Sequence, residues 1–149
     1  MNINPLIFRA YDIRGIAMPE GKNNIDLTPK TINLIGKGAG TYLKRTYQTK
    51  SMLVGRDNRL HSEELQQAFI EGVLSTGVNV TNIGLATSPL LYYGVCRFNE
   101  DSGVNITASH NPKEYNGVKI VGKNAHSVCG EELQKILQLI QKEDFEKGE

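Results

Sequence analysis

A three-layer α/β/α domain with a mixed, mostly parallel sheet is the fold this sequence predicts, and three observations carry the prediction. Strand and helix periodicities alternate along the chain as β-α-β-α-β, the order that builds parallel strands covered by helices on both faces. The chain has 149 residues, 39% hydrophobic and 22% charged, which suits one domain with a full core. No internal repeat or low-complexity stretch interrupts the alternation.

The first helix starts at Thr28-Pro29, a capping threonine followed by proline at the first helical position. Ile32, Ile35, Gly36, Ala39 and Leu43 continue it at helical spacing. Met52, Leu53 and Val54 make a short strand from Ser51 to Gly55. Ser62 is expected to cap the second helix, with Glu63 and Glu64 suited to its first turn. Leu65, Ala68, Phe69, Gly72 and Val73 form its inner face, and Gly77 is expected to end it. Residues 78–83 alternate as a strand. Ser88-Pro89 opens a third helix, and Asn99 to Gly103 is a polar turn before a strand running into Ser109. Residues 118–121 form another strand, and the short connection before it allows an antiparallel return. Gly130 leads into a last helix with Leu133, Ile136, Leu137 and Ile140 inward. The boundaries expected are a domain over 1–140 and a charged tail over 141–149 with little to bury.

The bulk properties exclude several classes of function. A net charge of +1 gives no global attraction to nucleic acid or to a membrane surface, so any anion must be held by a local cluster of cations. Cys96 and Cys129 are too few for a disulfide framework or a zinc site. No apolar run is long enough to span a bilayer, and Met1-Asn2-Ile3-Asn4-Pro5 lacks the pattern of a signal peptide. These features point to the cytoplasm, with no nucleic acid or membrane as partner. The sequons at Asn79 and Asn105 fall on expected strands and read as chance. Gly36-Lys37-Gly38-Ala39-Gly40 is not a nucleotide loop, because no strand precedes it and it lies inside a helical pattern; close helix packing explains it better. His61, expected to be exposed, and His126 lack metal-ligand spacing.

Open α/β sheets place ligands beyond the carboxyl ends of their strands. Three loops fit that position: 56–61, 84–88 and 109–117. The last is the most informative: Thr107-Ala-Ser-His-Asn-Pro-Lys-Glu-Tyr-Asn-Gly-Val-Lys119 sits between two apolar runs. Asn111-Pro112 restricts the backbone, and Asn116-Gly117 reads as a turn. Ser109 therefore stands on a stiff loop with His110 beside it. The setting is not a hydrolase elbow, because Gly-x-Ser-x-Gly is absent. Lys119 is polar in an otherwise apolar strand; it is either a solvent-facing position or a donor to an anion and a proton exchanger. In Phe8-Arg-Ala-Tyr-Asp-Ile-Arg-Gly15, expected to precede all regular structure, the arginines either match a phosphate or one of them, Arg9, pairs with Asp12. Gly15 is expected to make a tight turn. In Val54-Gly-Arg-Asp-Asn-Arg59, Arg56 or Arg59 either faces an anion or is bridged by Asp57.

These three segments, in this order, resemble the first domain of the α-D-phosphohexomutases, and the Ala-Tyr-Asp-Ile-Arg-Gly form is most similar to the phosphomannomutase/phosphoglucomutase branch. The resemblance covers nearly the whole chain. It implies that Ser109 carries the transferable phosphoryl group, that Arg14 helps to hold that phosphate, that Tyr11 lies near the sugar and that Lys119 is the proton-transfer residue or its close partner, with His110 in the same pocket. It implies Mg²⁺ bound through the phosphate on Ser109 and an Asp-x-Asp-x-Asp loop of a second domain. The phosphosugar partner is a hexose 1- or 6-phosphate, and a hexose 1,6-bisphosphate is the intermediate. No Asp-x-Asp-x-Asp occurs in this sequence, and the family's sugar-selecting and phosphate-gripping loops are absent. The expectation is an isolated first domain, with the remaining domains as its partners and little mutase activity of its own. The alternative is a non-catalytic phosphosugar-binding module.

Overall fold

The computed structural model describes residues 3–18 and 24–148; Met1 and Asn2 of the N-terminal stretch and Glu149 of the tail lie outside them. The elements are β1 (Ile13–Ile16), α1 (Pro29–Tyr47), β2 (Ser51–Arg56), α2 (Ser62–Leu74), β3 (Asn79–Leu85), α3 (Ser88–Arg97), β4 (Ser102–Ile106), β5 (Tyr115–Val121) and α4 (Glu131–Lys142). The sheet order is β1-β5-β4-β2-β3. β2 runs parallel to β3 and β4, while β5 is antiparallel to both β4 and β1. Four strands thus share one direction, and β5 returns against them through the Ser109 loop.

Strand alternation assigns side chains to the two faces. Met52 and Val54 of β2, Val104 and Ile106 of β4, and Val118 and Ile120 of β5 enter one core with α1, α2 and α4. Leu53 points the other way, into a small cluster with Leu91 and Val95 of α3. One face is therefore closed by three helices and the other only partly by a ten-residue helix. Asn105 and Lys119, cross-strand partners on β4 and β5, share that thinly covered face.

The glycines of α1 serve packing, as the sequence suggests. A Cβ at Gly36 would lie 3.3 Å from Gly72 Cα on α2, and one at Gly38 would lie 2.8 Å from Ile140 on α4. Thr28 caps α1 by accepting from Thr31 N at 3.1 Å.

Several local expectations are corrected. The segment around Arg14 is not free of regular structure: Ile13–Ile16 pairs with Tyr115–Val118 as an edge strand. Four residues containing an arginine and a glycine leave no alternation to read. Gly15 lies in that strand rather than in a turn, where a Cβ would come within 2.7 Å of Asp26 Cβ. Asn116-Gly117 is not a turn either. Both residues lie within β5 and are buried, and a Cβ at Gly117 would sit 2.9 Å from the Thr107 carbonyl oxygen. Glycine is needed there for close strand approach, not for positive φ. His61, not Ser62, holds the cap position of α2, and α2 ends at Leu74, with Gly77 following in the left-handed region. Thr87, one residue before Ser88, caps α3.

The C-terminal segment buries more than its composition suggests. Arg45 of α1 forks onto Asp144 at 2.9 and 3.0 Å and reaches Glu146 at 2.8 Å. Phe145 packs on the core, and Gly148 N donates to Ser75 O at 2.8 Å.

Candidate active site

The loops after β2, β3 and β4 converge on a cavity of about 940 Å³ on the α3 face. Arg14, Arg56, Arg59, Lys113 and Lys119 line it, together with Ser109, His110 and the first residues of α3. Asp57 is the only carboxylate among the described lining residues. Cations outnumber acids in the lining, although Arg14, Arg56 and Arg59 are ion-paired with Asp12, Glu63 and Asp57, and the surface is locally positive in a chain that is otherwise nearly neutral.

Ser109 is exposed at the rim and sits in the left-handed region at φ 54°. A non-glycine residue there costs roughly 1–2 kcal/mol, so its neighbours must hold it. Its N–H donates to Thr107 Oγ1 at 3.0 Å. Asn111 N donates to Ala108 O at 3.0 Å, closing a tight turn over Ser109 and His110. The Ser109 hydroxyl lies 3.3 Å from His110 Nδ1. Serine and histidine are thus in hydrogen-bond contact, and among the described residues no third side chain bonds the imidazole.

Two arginines grip this turn from below. Arg14, only 8% exposed, donates from Nη1 to Ala108 O at 2.7 Å and to Asn111 Oδ1 at 3.0 Å, and from Nη2 to Asp12. Asp12 therefore pairs with Arg14 rather than with Arg9. The Arg14 Nε–H is buried without a partner. Arg59 donates to Pro112 O at 2.5 Å, Tyr115 O at 3.1 Å, Ser109 O at 3.3 Å and Asn111 O at 2.7 Å, and its Nε to Asp57 at 3.1 Å. Of the two readings of that segment, the structure shows the bridge: Asp57 and Arg59 hold each other. Arg56 likewise donates to Asp57 O and Glu63.

Asp57 anchors the assembly. Oδ1 accepts from Ser62 Oγ at 2.5 Å and Arg59 N at 3.1 Å, and Oδ2 from Ala108 N at 3.3 Å. Burial pushes its carboxyl up, but hydrogen bonds from Ser62, Arg59, Thr107 and Ala108 outweigh that effect and hold it below the ordinary aspartate value. Ser62 Oγ in turn accepts from the buried Asn116 side chain at 2.8 Å, tying α2 to β5. His61 is half-buried rather than exposed, with Nε2 3.2 Å from Tyr115 O.

Of the residues singled out from the sequence, Ser109, His110, Arg14 and Lys119 come together around the cavity. Lys119 is half-buried and has no hydrogen-bond or ion-pair partner among the described residues. Tyr11 does not join them: it is 74% exposed and lies outside the cavity lining. The sequence reading missed the grip of Arg59 on the loop, and Asn105, whose Nδ2 donates to Ala86 O at 3.2 Å and so ties β4 to the start of α3 at the cavity. Arg59 holds backbone carbonyls, which carry no residue-specific signal. Among the described residues no three His, Cys, Asp or Glu side chains converge as a metal site, and the oxygens of Asp57 are already engaged.

The profile of the family described as phosphoglucomutase/phosphomannomutase, alpha/beta/alpha domain I, matches residues 5–147. A phosphoglucomutase/phosphomannomutase of Thermococcus kodakarensis is 38% identical over 95% of this chain and 30% of its own length. A phosphoglucomutase of Neisseria meningitidis is 40% identical over 93% of this chain and 28% of its own. A probable phosphoglucosamine mutase of Thermococcus gammatolerans is 43% identical over 79% of this chain and 26% of its own. The crystal structure of a phosphoglucomutase/phosphomannomutase family protein from Burkholderia thailandensis superposes with a TM-score of 0.86 at 31% identity, over 99% of this chain and 32% of that one. The chain thus spans about 30% of the length of the relatives it matches. With that extent of match, the chain belongs to the phosphoglucomutase/phosphomannomutase family, as its α/β/α domain I.

Proposed function

We propose that Ser109 is the phosphoryl carrier of a phosphohexomutase that interconverts glucose or mannose 1- and 6-phosphates through a hexose 1,6-bisphosphate. The observation that carries this reading is an exposed serine hydroxyl, held at positive φ by two arginines, at the rim of a cavity lined by five cations. Phosphoryl transfer needs positioning and charge neutralisation more than covalent help from the protein, and this arrangement offers both.

In one direction a sugar hydroxyl oxygen attacks the phosphorus on Ser109. The new O–P bond forms as the Oγ–P bond breaks. One proton leaves the sugar hydroxyl for the Lys119 amine, and one returns to Ser109 Oγ, with His110 the nearest group to supply it. Arg14 steadies the phosphate indirectly, by holding Ala108 O and Asn111 Oδ1 of the turn that carries it. Mg²⁺ neutralises phosphoryl charge in such reactions. The residues here would offer it the phosphoserine oxygens but no acidic set of their own, so no step is routed through it. The acidic ligands and the sugar-selecting groups would come from further domains. We place the protein in the cytoplasm, in keeping with its two free thiols.

The test is intact mass after incubation with glucose 1,6-bisphosphate and Mg²⁺. One phosphate should appear on Ser109, slowly, and none in Ser109→Ala; the 149-residue chain alone should not convert glucose 1-phosphate to glucose 6-phosphate at a useful rate. Phosphate on another residue, or label retained in Ser109→Ala, would refute the assignment.

A further inference from the structure

We infer that Arg59 is the positioning residue of the Ser109 turn. Its role is to fix the serine backbone rather than to touch the phosphate. The inference rests on the reading of Ser109 as phosphoryl acceptor. Every face of the Arg59 guanidinium is engaged: Nε on Asp57, Nη1 on the carbonyls of Pro112 and Tyr115, Nη2 on those of Ser109 and Asn111. Four of its five bonds go to backbone oxygens between residues 109 and 115, the stretch with Ser109 at its head. Arg14 holds the carbonyl immediately before Ser109 and Arg59 holds the one immediately after it. The peptide groups on both sides of the strained residue are therefore held, which sets the direction of its Cα–Cβ bond, and Oγ stands at the cavity rim beside His110.

Arg59 is itself held. Asp57 accepts from both its backbone N–H and its Nε, and the same carboxylate accepts from Ala108 N. One carboxylate thus sets the arginine and the near side of the turn together. The arginine fork does what an ammonium cannot, because a lysine there would supply a point charge and at most three donors from one atom. The orientation of Ser109 Oγ accordingly depends on the shape of the Arg59 side chain and not on its charge. A group that touches the ligand behaves differently, since its loss weakens binding.

The test compares wild type with Arg59→Lys in the 149-residue chain, using phosphorylation of Ser109 by glucose 1,6-bisphosphate and the backbone NMR signals of residues 108–115. Arg59→Lys should lower the saturating rate of phosphorylation about 100-fold while changing the half-saturating donor concentration less than about threefold, in line with the cost of small misplacements. A raised half-saturation with an unchanged saturating rate would overturn the inference. If neither protein is phosphorylated, the reading of Ser109 fails and NMR decides the positioning role alone. Doubled or exchange-broadened Ser109 signals in Arg59→Lys support it, and a single unshifted set overturns it. Should Arg59→Lys not fold, the wild-type guanidinium decides: separate Nη–H resonances mark a locked fork, and one averaged resonance refutes it.

Discussion

The two faces of the sheet are built to different ends. On one, α1, α2 and α4 seal a continuous apolar core in which Phe69, Ile32, Ile35 and Leu133 are fully buried. On the other, α3 sets Leu91 and Val95 over Leu53 and Val121, with Ile83 and Tyr92 packed beside them, and polar side chains surround the cavity next to this small cluster. The contrast separates where the fold is stabilised from where the chemistry is proposed. Residues of the same strand serve both ends: in β5, Val118 and Ile120 join the sealed core while Lys119 between them lines the cavity.

The largest expected effect tests this division. Phe69→Ala should cost about 3–5 kcal/mol, the range for emptying a fully buried aromatic site. Leu91→Ala should cost less, about 2–3 kcal/mol, because a smaller side chain is lost from a smaller cluster. Urea denaturation of both variants, followed by far-ultraviolet circular dichroism, gives the two values. Equal losses would mean that the α3 face stabilises the fold as much as the sealed one does.

A smaller effect concerns the polar side. Asp57→Asn should cost about 2 kcal/mol at neutral pH, the scale of hydrogen bonds made to a charged group, because an amide nitrogen would face donors that now meet a carboxylate oxygen. The Asp57 carboxyl is held below its ordinary value of 3.8 in the folded chain. Its stabilisation is therefore complete above that value and is lost as pH falls through the lower folded-state value. The stability gap between wild type and Asp57→Asn should be constant from pH 7 down to about 5 and close below about 4. Urea midpoints across that series measure it. A gap that persists undiminished at the acid end would show that the carboxylate charge is not what the loop requires.

The sealed face was legible in the sequence and the cavity only in part. Helical spacing in α1 and α2, the Thr28-Pro29 start and the Gly36–Gly40 stripe all express themselves in local composition. The strand alternation that sends Met52 and Val54 inward is equally local. β1 was not legible, because Ile-Arg-Gly-Ile gains its strand character from pairing with β5, a partner a hundred residues away. Asn116-Gly117 misled for the opposite reason. As a dipeptide it favours a turn, but tertiary approach of β1 and β4 uses the missing Cβ instead. At the site, Ser109, His110 and Lys119 could be named because their chemistry resides in the side chain. The bridge between Asp57 and Arg59 was one of two readings the sequence left open, but the grip of Arg59 on the loop was not legible, since its targets are main-chain carbonyls.

The smallest expected effect is the most direct test of the comparison, because it has the opposite sign. Ser109 holds φ 54°, which costs a non-glycine residue about 1–2 kcal/mol. Glycine removes that cost but loses about 0.5–1 kcal/mol more chain entropy on folding. Ser109→Gly should therefore stabilise the domain by about 0.5 kcal/mol while removing the hydroxyl on which the proposed chemistry depends. The core side chains of the sealed face offer no such gain, since none of Ile32, Ile35, Phe69 and Leu133 sits at positive φ. Thermal melts of wild type and Ser109→Gly, run side by side, read the sign. A melting temperature that falls would mean that the loop contacts of the serine outweigh its strain, and that the open face, like the sealed one, is built for stability at this position.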